Sequence, residues 1–207
     1  ASDPDALLLD AAARRGGELA GARAEVILAP TLPFGNSHHH YPFPGVLSVS
    51  SPVYLSVLFD LLEGLVRSGF HRLVLLNGHG GNSDPAGMAA LDLVHRLGHP
   101  VTVAAVDYWG IAQAALQASG IFPAGSYPGH AGAFETSMVL ALRPELVDAE
   151  ARAGLQESFQ FGGGMFENMG GATLQSHGLW AAGSGTSDNA AAASAEAGRA
   201  CLEIIGQ

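Results

Sequence analysis

Apolar residues along this chain follow two spacings, and the spacings alternate from one segment to the next. Recurrence every three or four positions predicts helices, which cover Ser2–Gly16, Pro52–Ser68, Pro85–Leu97 and Ala190–Ile205. Continuous apolar runs between turn residues predict strands, which cover Ala24–Ala29, Val46–Val49, Arg72–Leu76 and Val101–Val106. Helices that alternate with apolar strands are typical of a parallel sheet with helices on both faces. The sequence therefore predicts the α/β fold class, with residues 1–207 as a single domain and a mostly parallel sheet.

Two irregular segments lie between these elements. Thr31–Gly45 is predicted as a loop stiffened by three prolines, and it carries three consecutive histidines. Gly162–Gly185 is rich in glycine and is predicted as a long loop near an opening or a subunit contact. Parallel α/β sheets bind their ligands beyond the carboxyl ends of the strands. We therefore expect Asn77–Asn82, which directly follows the strand Arg72–Leu76, at the ligand-binding edge of the sheet.

The composition narrows the choice of partners and compartment. The chain has 9 basic and 19 acidic residues, and this net charge of -10 makes nucleic acid and anionic membranes poor partners. Hydrophobic residues make up 48% of the chain and charged residues only 14%, which favours apolar surfaces buried between the subunits of a homo-oligomer. The single Cys201 excludes an intrachain disulfide, and neither a membrane-spanning apolar run nor a signal peptide is visible. We expect a cytoplasmic protein.

His79 is the first candidate for chemistry. It lies in Asn77-Gly-His-Gly-Gly-Asn82, where the glycines let the backbone turn sharply and open the imidazole to a cleft. An imidazole in that position suits a metal ligand. Two other interpretations stay open, a glycine turn with a solvated histidine and a phosphate-binding nest formed by Gly78–Gly81. The nest would lack a neighbouring Lys or Arg.

The second candidate group is His130 and Glu135, which are five positions apart. On one regular helix this offset would separate them by roughly 140°. They converge only if His130 lies in the loop before a helix and Glu135 in its first turns, which Gly129 and Gly132 permit. The pair then suits a metal ligand beside a proton shuttle. The alternative is an acidic residue that complements the helix dipole, with a histidine merely nearby.

The remaining candidates are weaker. Successive side chains of an extended chain point to alternate sides, so at most two of His38, His39 and His40 can reach one ion. We expect His40 to line the pocket and the other two to be mostly solvated. Trp180 is a further candidate for the pocket wall, although large aromatic residues more often serve burial. Asp3, alone, has only the role of a helix-capping residue.

In this order the segments resemble the creatininase family of metal-dependent amidohydrolases over nearly the whole chain. The resemblance rests on five motifs: Ser2-Asp3, Gly35-x-Ser-x-x-His40-x-x-Phe-Pro-Gly45, Asn77-Gly-His-Gly-Gly-Asn82, His130-Ala-Gly-x-x-Glu135-Thr-Ser137 and Ala195-Glu-x-Gly-Arg199. Asn77-Gly-His-Gly-Gly-Asn82 and His130-Ala-Gly-x-x-Glu135-Thr-Ser137 together are quite specific for the family, whereas each motif alone is weaker evidence.

The resemblance implies hydrolysis of a C–N amide bond by a water activated between two divalent metal ions, Zn and/or Mn. By resemblance, Asp3 bridges the two metals, His79 and Glu135 each bind one, and His130 transfers a proton. The implied substrate is a small cyclic amide, a formamide or a short peptide. Family members assemble as hexamers, so the resemblance also implies a homo-hexamer.

Two departures from the family pattern matter. Family members carry a Glu-x-His-Gly-x-His-Leu-Pro segment before the position of Asp3, and we expect such an N-terminal segment to be missing from this sequence. Creatininase itself has Tyr and Glu at the positions of Gly80 and Gly81, so the chain resembles the wider family more than creatininase proper. The alternative function is that of a non-catalytic, creatininase-like oligomer which binds a small ligand or a partner protein.

Overall fold

The structure is a computed structural model that describes residues 4–21, 24–123, 126–155, 177–178 and 180–207. The chain divides into two compact units, Ala1–Ile111 and Ala112–Gln207. The prediction that residues 1–207 form one domain stays a prediction. Within the described part, the helices and strands are α1 (Pro4–Gly21), α2 (Ser51–Arg67), β1 (Arg72–Asn77), α3 (Ser83–Leu91), β2 (Thr102–Asp107), α4 (Tyr108–Ser119), α5 (Ala133–Leu142), α6 (Ala149–Ala153) and α7 (Ala195–Gly206).

β1 and β2 form a parallel pair that confirms the predicted α/β class. The register runs from Arg72 opposite Thr102 to Asn77 opposite Asp107. Parallel strands must be joined by a crossover, and here α3 supplies it. Because both strands end at the same edge, the polar residues Asn77 and Asp107 lie side by side at the carboxyl end of the sheet.

The core of the first unit lies between this sheet and two helices. α2 begins at Ser51 with a proline in its first turn and contributes Tyr54, Leu58 and Leu62. These residues pack with Leu73 of β1 and with side chains of α3 and the π-helical turn Asp92–Arg96. α1 also contacts β1. Burial of this apolar surface is what holds β1, and therefore the loop that follows it, in place.

Two of the predicted strands are wrong. Ala24–Ala29 has no strand pairing among the described residues, and Ile27 is 67% exposed. Val46–Val49 is likewise irregular and reaches the preceding loop through Val49 N, which donates to Gly35 O at 3.0 Å. The physical reason is that an apolar run becomes a strand only when a second backbone pairs with it. Apolar composition alone does not reveal whether that partner exists.

The predicted helix boundaries are confirmed in part. α1 continues past Gly16 to Gly21, and α3 ends at Leu91 before a π-helical turn. The last helix begins at Ala195 rather than at Ala190, since Ser194 Oγ accepts a hydrogen bond from Ala197 N at 3.1 Å and caps it. Residues 190–192 instead form a separate 3₁₀ turn. Most of the predicted loop Gly162–Gly185 lies outside the described residues.

In the second unit, α5 packs on α7. Phe134 and Met138 of α5 and Cys201 of α7 are fully buried. Ser137 is also fully buried, and its Oγ accepts a hydrogen bond from Ser194 N at 3.0 Å. This packing holds the first turn of α5, which carries Glu135. None of the described helices is long and apolar enough to cross a membrane.

Candidate metal centre

The side chain of Asn77 holds the loop that follows β1. Its Oδ1 accepts a hydrogen bond from His79 N at 3.1 Å, and its Nδ2 donates to His79 O at 2.8 Å. Nδ2 also donates to Asp107 Oδ1 at 2.6 Å, which accepts from Ser83 Oγ at 2.9 Å. Asn77 is only 6% exposed, and a satisfied buried amide fixes the backbone around it. The carboxyl end of the sheet therefore presents His79 in one orientation.

Polar atoms lie against both ring nitrogens of His79. Nδ1 lies 2.9 Å from Asp5 Oδ2 on α1, and Nε2 lies 3.1 Å from Ser37 Oγ and 3.1 Å from Asn36 O. The side chain is 11% exposed, so the interpretation as a solvated histidine is wrong. A carboxylate on one ring nitrogen is the arrangement that orients metal-binding histidines. Nε2 lies on the other side of the ring, where it faces Ser37 and Asn36.

The histidine tract departs from the prediction. Residues His38–His40 form a 3₁₀ turn, in which side chains step by roughly 120° instead of alternating. His39 and His40 therefore both turn towards His79, while His38 is exposed and lies 2.8 Å from Ser48 Oγ. The His39 ring stacks on the His79 ring at 5.4 Å, and the His40 ring meets it edge-on at 5.5 Å. The prediction that His39 is mostly solvated is wrong, because it is half-buried.

This cluster fits a divalent metal ion. Among the described residues, His39, His40 and His79 each offer a ring nitrogen, and these atoms all lie within 4.8 Å of one another. A tetrahedral zinc ion with nitrogen ligands near 2.1 Å brings its ligand atoms to roughly 3.4 Å from one another, so small side-chain shifts would complete such a site. The cluster is therefore a candidate site for a metal bound through imidazole nitrogens.

In the second unit, His130 and Glu135 occupy the two kinds of position that the sequence predicts for them, a loop and the helix that follows it. His130 lies in the loop before α5, and Glu135 lies in the first turn of that helix. Glu135 Oε2 accepts a hydrogen bond from Ala131 N at 2.5 Å, which closes the loop onto the helix. Ala131 has the left-handed φ of 49°, and this sharp turn sets the direction of the neighbouring His130.

Ser187 and Asp188 hold the same loop from the opposite side. His130 N donates to Ser187 Oγ at 2.6 Å, and Ser187 N donates to His130 O at 2.8 Å. Asp188 Oδ1 accepts from Ala133 N at 2.6 Å and so occupies the N-terminus of α5. A Cβ at position 132 would overlap the Asp188 carboxylate, which explains why a glycine lies there. The carboxylate also complements the helix dipole.

Trp180 lies against His130, with the ring centroids 4.9 Å apart and the planes nearly perpendicular. Such an edge contact restricts the imidazole to one side of the indole. The candidate pocket residue is therefore a neighbour of the candidate proton carrier. Asp3, the predicted bridge between metals, lies outside the described residues.

The predicted residues are thus divided between the two units. His40 and His79 belong to the first, whereas His130, Glu135 and Trp180 belong to the second. His40 lies against His79, and Trp180 lies against His130, while Glu135 binds the backbone of the His130 loop at Ala131. The roles assigned to all five stay predictions.

Sequence reasoning missed four residues of these surroundings: Asp5, His39, Ser187 and Asp188. Asp5 follows Asp3 by two positions, so the Ser2-Asp3 motif could have pointed to it. The prediction for His39 assumes an extended chain, which the 3₁₀ turn does not provide. Ser187 and Asp188 follow Gly185 in a polar segment that carries no spacing signal, and only the fold brings them to His130.

The α/β fold with an imidazole cluster at the carboxyl end of its parallel strands defines a class of candidate metal-dependent enzymes. The family described as creatinine amidohydrolase matches residues 2–207. The chain is 30% identical over 158 residues to the creatinine amidohydrolase of Pseudomonas putida, covering 70% of this chain and 59% of that protein. The chain belongs to the creatininase family.

Solved structures agree with this assignment. A Bacteroides fragilis protein named as a creatinine amidohydrolase superposes with a TM-score of 0.74 at 27% identity, over 96% of this chain and 76% of its own. Creatininase in a manganese form gives a TM-score of 0.68 at 27% identity, over 99% and 80%. Mutant creatininases have also been solved in a Zn–Zn form and in complex with creatine. The match to the Pseudomonas enzyme spans less than two thirds of that enzyme's length.

Proposed function

We propose that the protein containing this chain is a metal-dependent amidohydrolase which cleaves a C–N amide bond in a small molecule. One observation carries the proposal. In a chain of the creatininase family, His79 lies beside two further imidazoles at the carboxyl end of β1, with a carboxylate on its far ring nitrogen. That arrangement suits a metal ligand.

The metal ions proposed are two divalent cations, Zn and/or Mn, for which His79 and Glu135 supply ligands and Asp3 the bridge. Bound there, the ions would supply an activated water and polarise the carbonyl group of the amide. Relatives in a manganese form and in a Zn–Zn form support this choice. The local geometry of His79 supports it too, because Asp5 on one ring nitrogen fixes the orientation of the imidazole.

His130 is the proposed proton carrier. Amide hydrolysis adds water to the carbonyl carbon and breaks the C–N bond, and the leaving nitrogen must receive a proton. A histidine can gain and lose a proton near neutral pH. Two contacts support this role: Ser187 binds both backbone groups of His130, and the Trp180 ring lies against its imidazole. Trp180 and His40 are the proposed walls of the pocket.

The proposed substrates are small cyclic amides, formamides and short peptides. The related proteins are named for creatinine, a small cyclic amide, and one was solved with creatine. Creatininase proper has bulky residues where this chain has Gly80 and Gly81, and position 80 is exposed here. The open space at position 80 favours a substrate other than creatinine itself.

We also propose that the protein is a cytoplasmic homo-oligomer, hexameric by resemblance. Apolar side chains on α2 and α3 support a subunit contact, since Val53, Leu61, Met88 and Leu91 are each about half exposed. Light scattering coupled to gel filtration of the full-length protein gives the subunit number directly. A monomer at micromolar concentration would contradict the proposal.

The test of function uses the full-length protein with its metal content measured by elemental analysis. A panel of creatinine, other cyclic amides, formamides and short peptides is screened with added Zn²⁺ or Mn²⁺. His79→Ala and Glu135→Ala should lower both metal content and hydrolysis. His95→Ala and Glu150→Ala, which change exposed side chains of the same types in the same units, are the matched controls.

The outcomes separate the proposal from its alternative. Full metal content in both His79→Ala and Glu135→Ala would show that the assigned ligands are wrong. A wild-type protein that oligomerises but binds no metal and hydrolyses nothing in the panel would support the non-catalytic, ligand-binding alternative.

A further inference from the structure

We infer that Asp107 is a positioning residue for His79: its carboxylate sets the orientation of the Asn77 side-chain amide, and that amide holds the backbone of His79. Asp107 is the last residue of β2 and lies opposite Asn77 in the parallel pair. The inference rests on the proposed function only where it concerns hydrolysis, because the contacts that carry it belong to the fold of the first unit.

The Asn77 amide binds both backbone groups of His79. Its Oδ1 accepts a hydrogen bond from His79 N at 3.1 Å, and its Nδ2 donates to His79 O at 2.8 Å. A side-chain amide can be turned over, which exchanges its oxygen and its nitrogen. In the turned amide, Nδ2 would face the N–H of His79, and two donors would meet. Only one of the two orientations therefore holds His79 in this way.

Asp107 excludes the turned orientation of the amide. Its Oδ1 lies 2.6 Å from Asn77 Nδ2. An ionised carboxylate has no hydrogen to donate, so only the NH₂ group of Asn77 can face it. In the turned amide, two oxygen atoms would meet at this place, and because Asn77 is buried the loss of the hydrogen bond would be costly. The Asp107 carboxylate therefore selects the orientation that serves both backbone groups of His79.

Ser83 holds the carboxylate of Asp107 in place. Ser83 is the first residue of α3, and its Oγ donates to the same Oδ1 of Asp107 at 2.9 Å. The pairing of Asp107 with Asn77 in the sheet fixes the backbone of Asp107 as well. One oxygen atom thus joins the end of β1, the end of β2 and the start of α3. A carboxylate on a longer side chain would not keep these contacts, so the position of the acceptor matters.

A different role for Asp107 would be purely electrostatic. A carboxylate near the first turn of α3 stabilises the helix dipole through its charge alone. Asp84 has this role without the contacts to Asn77, because it lies in the first turn of α3 and is exposed. The two roles predict different orders among variants of Asp107, since the dipole requires a negative charge and the Asn77 amide requires an acceptor in one place.

The test compares Asp107→Asn with Asp107→Glu in the full-length protein with the metal content it has as purified. Asp107→Asn keeps an oxygen acceptor in place and loses the charge, whereas Asp107→Glu keeps the charge and moves the oxygen atoms. Asp107→Ala removes both, and Asp84→Ala is the matched control. Hydrogen–deuterium exchange, read by mass spectrometry at single-residue resolution, measures the protection of the His79 N–H. The β1 amides that pair with β2 report unfolding of the sheet as a whole.

Relative to the paired amides of β1, the His79 N–H should exchange at least about tenfold faster in Asp107→Ala and Asp107→Glu than in the wild type. That factor corresponds to the loss of one hydrogen bond of ordinary strength. Asp107→Asn and Asp84→Ala should both stay close to the wild type. Amide hydrolysis should follow the same order and fall by about 10–100-fold in Asp107→Ala and Asp107→Glu, the usual effect of losing a residue that supports a metal-binding histidine.

The results distinguish the inference from the proposed function. Equal His79 exchange in Asp107→Ala and Asp84→Ala overturns the inference, and so does better recovery by Asp107→Glu than by Asp107→Asn. Faster exchange with unchanged hydrolysis in an active protein overturns it too, and all three results leave the proposed function standing. The expected order of exchange in a protein that hydrolyses no amide supports the placement of His79 by Asp107 and contradicts the proposed function. If Asp107→Ala does not fold, the comparison of Asp107→Asn with Asp107→Glu decides alone.

Discussion

Asp188 gives the sharpest single prediction about stability and activity together. Its carboxylate accepts a hydrogen bond from Ala133 N at the first turn of α5 and another from Ser187 Oγ at 3.2 Å. Asp188→Ala removes both and leaves the amide at the helix start without its acceptor. Because Ser187 also holds both backbone groups of His130, the substitution should loosen the loop that carries the proposed proton carrier.

The magnitude follows from the kind of interaction lost. A hydrogen bond to a charged group contributes about 1.5–3 kcal/mol, and loss of a helix-capping side chain costs about 1 kcal/mol in typical cases. We expect the free energy of unfolding to fall by about 2 kcal/mol. For a chain of this length, that fall lowers Tm by about 4–8 °C. Thermal and urea unfolding followed by circular dichroism measure both quantities.

Asp148→Ala is the matched control, because Asp148 caps the five-residue helix α6 in the same unit and is exposed. It should cost about 0.5–1 kcal/mol and leave amide hydrolysis unchanged. Asp188→Asn keeps an oxygen acceptor and should recover most of the loss of Asp188→Ala. Equal effects of Asp188→Ala and Asp148→Ala on both Tm and hydrolysis would refute the reasoning.

Four further substitutions test other parts of the structure. Gly198→Ala places a Cβ against the backbone of α5 and should lower the free energy of unfolding by at least about 1–3 kcal/mol. Gly64→Ala in α2 meets open space and should raise the free energy of unfolding by about 0.5–1 kcal/mol in the same assay. Asn77→Ala should lower the free energy of unfolding by about 2–4 kcal/mol, because it leaves several buried partners without their hydrogen bonds. It should also weaken metal binding through His79, and an unchanged metal affinity would contradict the proposed role of Asn77 in positioning His79. Burial raises the pKa of the Cys201 thiol from 9.0 to about 11, so its contribution to stability is complete below pH 9 and is lost as pH rises towards 11, by at most about 3 kcal/mol in total. Burial also raises the pKa of Tyr54 from 10.0, so this tyrosine adds to the loss of stability at high pH. Cys201→Ala should abolish only the part of the pH dependence of unfolding that is due to the thiol.

The parts of the fold that the sequence predicts well are those decided by local pattern. Arg72–Leu76 is uniformly apolar apart from its first residue and lies between a glycine-ended helix and a glycine loop, so a strand is its natural state. The helix after Pro52 has a proline start and a clear apolar face, and both ends fall within one residue of the prediction. The position of His79 after β1 follows from this strand alone.

The parts that fail depend on contacts between distant segments. Ala24–Ala29 has the composition of a strand, yet Ile27 is exposed and no described backbone pairs with the segment. The prediction that His39 faces solvent assumes an extended chain, and the actual turn rotates it onto His79. A residue's partner 40 positions away leaves no mark in its own local pattern, so neither outcome is available from spacing.

The roles of two glycines also depend on contacts that the local sequence does not reveal. Gly81 and Gly132 follow the two candidate histidines by two positions each, and in the sequence both suggest backbone freedom. Neither has a left-handed φ. Their common property is that a Cβ would collide with a neighbour: with Asn36 O and the ring of His39 at position 81, and with the carboxylate of Asp188 at position 132. In each unit, then, a missing side chain lets a residue from a distant segment approach the histidine loop. The sequence shows that positions 81 and 132 have no side chain, and only the structure shows which neighbour occupies the space. Gly81→Ala and Gly132→Ala should therefore act through those neighbours. The first should weaken metal binding by displacing the segment of Asn36 that lies against His79, and the second should reproduce the fall in Tm of Asp188→Ala.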